Sequence, residues 1–354
     1  MLREFSLCIS LLSNKTGMNK LKLSILDLAK FTEETKTASE VLNQSTEIAK
    51  LADKLGYTRY WFAEHHNTSM VMSMFPEIMV AHVASQTQRI RVGTGGVMLP
   101  NHSAFSVAER FAMLEALYPG RIDLGIGRAP GTDGRTALAL RRSWEAIKQD
   151  TFPEQLTELL GFLGHNLPDK HPFAHINASP DPFLIPEIYM LGSSTGGVEF
   201  ALTKGLPFVF AAQINADLAV PVLTMYRRQF KPSEYLQEPK SILSIMVFTA
   251  ETDEEAYYQA APAILHWTML TVGKRIVNPT FEEALSYRYS LQEEAVKQSI
   301  MRKFVIGSPG KVSEMLWQWA KETLVDEIII FDLYSQMKGR RQGYELLAKE
   351  LGLS

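Results

Sequence analysis

From Leu21 onward, short apolar runs alternate with longer segments whose apolar residues recur at helical spacing. Such alternation marks repeated βα units around a parallel sheet. The runs predict strands at Leu21–Leu28, Thr58–His65, Ile90–Met98, Arg121–Gly127, Glu187–Leu191, Pro207–Ala212, Ile242–Ala250 and Glu327–Asp332. Helical periods come after them, at Glu40–Leu55, Pro76–Gln86, Ser103–Leu117, within Thr136–Leu163, and at Val198–Lys204, Ala216–Phe230, Asp253–Leu270 and Gly339–Leu351. In the first of them Val41, Ile48, Leu51, Ala52 and Leu55 fall near one face, with Ser39 as the expected cap and Gly56 as the stop. Between the fourth and fifth strands, Pro168, Pro172, Pro180, Pro182 and Pro186 forbid a regular helix over His165–Pro186. Eight strands, each with a helix behind it, predict an α/β fold and a closed (β/α)8 TIM barrel, with an insertion between strands 7 and 8. An open doubly wound sheet is the alternative.

Composition narrows the class. The chain has 354 residues, 46% hydrophobic and 21% charged, the balance of a globular protein with ample surface to bury. A net charge of −3 leaves no basic footprint, so nucleic acid is not a favoured partner. Cys8 is the single cysteine, which excludes an intrachain disulfide and fits a reducing, cytoplasmic setting. There is no uncharged apolar run of about 18 residues to span a bilayer. Phe5 to Leu12 is apolar behind a lone Arg3, but it lacks the basic start and small-residue cleavage site of a signal peptide. Residues 1–17 are therefore read as an N-terminal extension ahead of Met18, and residues 18–354 as one barrel domain.

In a barrel of this kind chemistry belongs to the residues just after each strand. These are Asp27, Glu64-His65-His66, Gly95-Gly96, Gly127-Arg128 and Ser193-Ser194. Adjacent histidines on a strand face opposite sides, so at most one of His65 and His66 is expected in the barrel mouth, with Glu64 able to orient a tautomer. The alternative is a histidine that merely bonds to backbone. Gly95-Gly96 inside an apolar strand marks either a bulge and close approach of something flat, or accommodation of a bulky neighbour. Arg128 offers a bidentate fork to a phosphate or carboxylate, against the commoner surface ion pair. Leu191-Gly192-Ser193-Ser194-Thr195 leads from a strand into a helix, presenting free N–H groups and hydroxyls either as an anion seat or as ordinary caps. Two glycine-lined strand ends beside an arginine and a serine-rich helix start fit a phosphorylated planar cofactor, most simply flavin mononucleotide (FMN). A metal-dependent hydrolase built on His65 and His66 would need further ligands, and beyond Asp27 and Asp332 the strand ends supply few.

Four ordered blocks resemble the bacterial luciferase family of flavin-dependent monooxygenases: Tyr60 to His66 (YWFAEHH), Arg91 to Pro100 (RVGTGGVMLP), Tyr118 to Arg128 (YPGRIDLGIGR), and Leu191 to Ser194 with Gly205-Leu206-Pro207. The resemblance runs from about Leu21 to the C-terminus. It implies a (β/α)8 barrel that takes reduced FMN from a separate flavin reductase and uses O2 to place one oxygen atom in a small organic, aldehyde-like substrate. It further implies His65 as the catalytic acid/base. Gly95 and Gly96 would form a cis peptide beside the ring, and Arg128, Leu191, Ser193, Ser194 and Thr195 would bind cofactor, with no metal. A homodimer is the family habit. Gly127 stands where the light-emitting subunit has a reactive cysteine, and Gly197 where it has a threonine on the phosphate. Thr271–Ile300 corresponds to a mobile family loop. Two further readings share the fold: a deazaflavin-dependent hydride-transfer enzyme, and a flavin-binding protein without turnover.

Overall fold

The apolar runs become parallel strands because both faces of each are covered. The computed structural model describes residues 20–274 and 276–353; the extension expected over residues 1–17 lies outside them. The strands are β1 (Lys22–Asp27), β2 (Arg59–Phe62), β3 (Arg91–Met98), β4 (Ile122–Gly127), β5 (Glu187–Gly192), β6 (Phe208–Ala211), β7 (Ser241–Thr249), β8 (Phe304–Gly307) and β9 (Glu327–Phe331). Strands β1 to β7 pair in order, β7 pairs with β9, and β9 closes on β1 with Ile25 opposite Ile330. The closed ring is a (β/α)8 barrel, and it excludes the open sheet.

One strand departs from the expected eight. Phe304–Gly307 pairs in parallel with the upper half of β7, Met246 to Thr249, while the lower half, Ile242 to Met246, pairs with β9. A helix comes next at Pro309–Thr323, with proline in its first turn. The sequence carries this signal in Phe304-Val305-Ile306 before Gly307-Ser308-Pro309, but a four-residue run is easily lost beside longer ones. Thr271–Ile300 is not a bare loop: it holds helices Phe281–Ser286 and Leu291–Ile300, both begun by capping boxes. The first barrel helix runs Ala38–Lys54 and is capped by Thr37, not Ser39, because Glu40 reaches back to complete a capping box. Its buried Val41 and Ile48 each contribute on the order of 1.5–3 kcal/mol by leaving water.

The amino ends of the strands are closed by a buried charge cluster that the linear pattern does not reveal. Arg59 donates to Glu327 through Nε (2.5 Å) and Nη2 (3.0 Å), and through Nη1 to Asp123 Oδ2 and the Tyr189 hydroxyl, both at 2.8 Å. Arg91 reaches the other Asp123 oxygen at 2.5 Å, and Ser24 donates to Glu327 at 2.6 Å. Trp61 Nε1 also donates to Asp123 at 2.8 Å, which fixes the indole between this plug and the opposite end of the barrel.

Candidate active site

A cavity of about 600 Å³ opens at the carboxyl ends of the strands, a size suited to a small molecule or cofactor. Gly95 lines it from β3, next to Trp61 and Leu26. The Gly95–Gly96 peptide is cis, and the β3–β4 register shifts between Thr94 and Val97. A Cβ on Gly95 would lie 2.7 Å from Leu26 Cδ1 and 3.0 Å from Trp61 Cε3, and one on Gly96 2.6 Å from the Gly125 carbonyl oxygen. Accommodation of a bulky neighbour and exposure of bare backbone to the cavity thus coexist at Gly95, whereas Gly96 is outside the lining and lies against the β4 backbone.

On the β5 side, Ser194 is the N-cap of the Thr195–Lys204 helix, yet its side chain makes no capping hydrogen bond. Ordinary capping therefore does not consume the hydroxyl. Leu191, Ser193, Ser194 and Gly196 line the cavity, whereas Thr195 is exposed and outside the lining. A Cβ at Gly196 would stand 3.7 Å from Arg128 Nη1 and 3.9 Å from Ser194 Oγ, so both groups converge on one point at the helix start. Arg128 also pairs through Nη2 with Asp150 at 2.6 Å, both side chains half exposed, and its guanidinium lies 5.8 Å from the Phe200 ring centre. Such an exposed pair is weakly held. It leaves Nη1 toward Gly196, where the helix N-terminus favours an anion.

Strand β2 ends at Phe62, short of the expected His65, so His65 and His66 lie in the irregular segment that follows it. Strand alternation does not apply there, and both residues line the cavity. Ser73 holds the segment: it accepts the His65 backbone N–H at 2.9 Å through its carbonyl, and its hydroxyl donates to the Ala63 carbonyl. Burial pushes the His65 imidazole below its ordinary pKa, and the His66 ring adds to this; the Gly131 backbone and the Glu64 charge pull the other way without overcoming it.

Glu64 does not orient His65. It is fully buried and lies 2.7 Å from His66 Nε2 and 2.9 Å from His102 Nε2, and it accepts the Met98 N–H at 2.9 Å. His102 lies 38 positions beyond Glu64, after the end of β3, and no local sequence signal names it as a partner. Burial by itself would raise the Glu64 pKa, but the His102 and His66 contacts and the Met98 N–H outweigh it and hold the carboxyl below its ordinary value. A group with a depressed folded pKa stabilises the fold above the unfolded value of 4.5, and that contribution is lost as pH falls through the folded value. Glu64→Gln is accordingly expected to cost about 2–3 kcal/mol at pH 7, with the gap to wild type closing as denaturation is measured at lower pH. A gap that is constant down to acid pH would sink this assignment.

Asp27 and Asp332 are tied to Arg340, at 2.9 and 2.5 Å. Among the described residues no group of three histidine, cysteine or acidic side chains is arranged to hold a metal ion, and no helix is long and apolar enough to cross a membrane.

Comparison with known proteins settles the family. The sequence matches the family described as luciferase-like monooxygenase over residues 21–327. The chain belongs to the luciferase-like monooxygenases. The Escherichia coli K12 protein named luciferase-like monooxygenase is 34% identical over 323 residues, 91% of this chain and 95% of that one. The N-acetyl-S-alkylcysteine monooxygenase of Bacillus subtilis is 33% identical over 334 residues, 93% and 97%. The apo-MsnO8 structure superposes with a TM-score of 0.82 at 32% identity, covering 95% of this chain and 99% of that one. Two solved structures share the fold at lower identity. The oxygenating constituent of 3,6-diketocamphane monooxygenase from Pseudomonas putida, in complex with FMN, has a TM-score of 0.69, 17% identity and coverage of 94% and 98%. An F420-dependent secondary alcohol dehydrogenase has a TM-score of 0.64, 14% identity and coverage of 94% and 99%.

Proposed function

We propose that this luciferase-like monooxygenase uses reduced FMN, delivered by a separate flavin reductase, and O2 to oxidise a small apolar or amphipathic organic substrate. The observation that carries the reading is the convergence of Arg128 Nη1 and the uncapped Ser194 hydroxyl over Gly196 at a helix N-terminus, on the rim of a cavity lined by Gly95 and His65. A single phosphate fits that point. Relatives of this family named as monooxygenases support the reaction class, while the shared fold alone serves both FMN and F420.

When bound, a reduced flavin supplies the two electrons with which O2 is split, one oxygen atom going to substrate and the other to water. Ser194, Arg128 and the helix start hold the phosphate. Trp61, Leu26 and Leu191 keep the interior apolar and exclude water, which strengthens electrostatic interactions there. His65, neutral near pH 7, is placed to take or give a proton at its ring nitrogen.

The deciding experiment is a titration of the protein with reduced FMN and with reduced F420, followed by product formation under air with a flavin reductase present. Tight binding of F420 with none of FMN would overturn the cofactor. Ser194→Ala is expected to weaken FMN by about 10- to 100-fold, the range for a hydrogen bond to a charged group, and to leave riboflavin within about twofold. An equal loss for both ligands would refute the phosphate seat.

A further inference from the structure

Two polar side chains on the β6–β7 side of the cavity have no structural employment. Gln213 follows β6 in the Ala212–Asn215 helical turn and is 6% exposed; Ser244 sits within β7, opposite Ala211 and Ile329, and is 2% exposed. Gln213 Oε1 and Ser244 Oγ are buried without a hydrogen-bond partner among the described residues, and both residues line the cavity. Burying such groups unpaired costs stability, so native folds normally satisfy them unless a ligand does so.

Their surroundings define the ligand. Ala211 and Ile329 flank Ser244 on the neighbouring strands, and the same cavity is lined by Leu26, Val209, Phe331 and Trp267, all apolar. The lining residues that carry or take charge, His65, His66 and Arg128, come from the ends of β2 and β4 on other parts of the ring. A primary amide offers both a donor and an acceptor, and a hydroxyl offers either, but neither compensates a full charge.

We propose that Gln213 and Ser244 form a substrate subsite that takes one neutral hydrogen-bonding group, a carboxamide or another carbonyl, of an otherwise apolar molecule. This rests on the flavin reading, in which the cofactor occupies the glycine- and serine-lined arc from β3 to β5 and leaves the arc from β6 through β9 to β1 for substrate. The same donor and acceptor pair would also suit the pyrimidine edge of a flavin, and the test separates the two sources.

FMN affinity is measured first and by itself, in wild type, Gln213→Met and Ser244→Ala. Hexanamide and hexanoate are then titrated calorimetrically into each protein, with and without FMN, so a failure of cofactor binding is read separately from a failure of the subsite. With FMN bound, wild type is expected to bind hexanamide about tenfold tighter than hexanoate, Gln213→Met to lose that preference, and Ser244→Ala to lose about threefold, with FMN affinity within twofold throughout. Wild type without a preference overturns the subsite and needs no variant to fold. A Gln213→Met protein that keeps the preference but binds FMN about tenfold more weakly also overturns it, by assigning the pair to the flavin.

Discussion

His65→Ala is expected to bind reduced FMN within about twofold of wild type while its oxygenation rate falls by about 10²- to 10⁴-fold, the range for removal of a positioned acid or base. His65 lines the cavity but makes no hydrogen bond to Arg128 or Ser194, so cofactor affinity has little reason to change. The pH profile separates a proton-transfer role from a space-filling one. Burial lowers the imidazole pKa from 6.5, so the ring stays neutral somewhat below that pH. A rate that needs the neutral ring rises with pH through the lowered pKa and levels off above it. The alanine variant should lose that limb of the profile, and unchanged turnover or an unchanged limb would remove His65 from the role. The stability linkage has the same sign: below pH 6.5 the unfolded ring takes up a proton that the folded one resists, so folding is weakened as pH falls.

Arg59→Met is expected to destabilise the barrel by about 3–5 kcal/mol, the range for removing one partner of a buried ion pair. Asp123 and Glu327 would then be left buried, each with one cationic contact fewer; Arg91 still reaches Asp123, and Glu327 keeps the Ser24 hydroxyl but loses the guanidinium. Urea denaturation measures this, and a midpoint shift equivalent to under about 1 kcal/mol would show that the plug is not what closes the barrel. The loss should also reach the site, because Asp123 anchors the indole of Trp61, which lines the cavity beside Gly95. A second measurement, tryptophan fluorescence of the folded variant, reports that displacement.

Much of this arrangement is legible in the chain. Alternation of apolar runs with helical periods predicts the barrel, because burial on both faces of a parallel strand leaves a continuous apolar run and a helix leaves a 3.6-residue period. The glycine pair at Gly95-Gly96 and the turn at Gly192 to Gly197 are visible for a similar reason: glycines in a strand and hydroxyls before a helix are local departures with local causes. The departures from expectation lie where a local rule meets a nonlocal one. Strand alternation would put His65 and His66 on opposite faces, but the strand ends at Phe62 and Ser73 pins the segment that carries both residues. Ser39 yields the cap to Thr37 because Glu40 completes a capping box only with the latter.

The chain alone therefore shows the order of the eight ring strands and the position of the glycine- and serine-rich turn at the end of β5, since each depends on residues a few positions apart. Which polar groups meet is set by the closed barrel. Ser24 finds Glu327 across 303 positions, Arg59 finds the same carboxylate across 268, Glu64 finds His102 across 38 and not its neighbour His65, and Gln213 Oε1 and Ser244 Oγ are left buried without a partner among the described residues. Closure of the ring brings these residues together. A buried polar group takes whichever partner the fold sets within hydrogen-bond reach, and that choice leaves no periodicity in the chain to read.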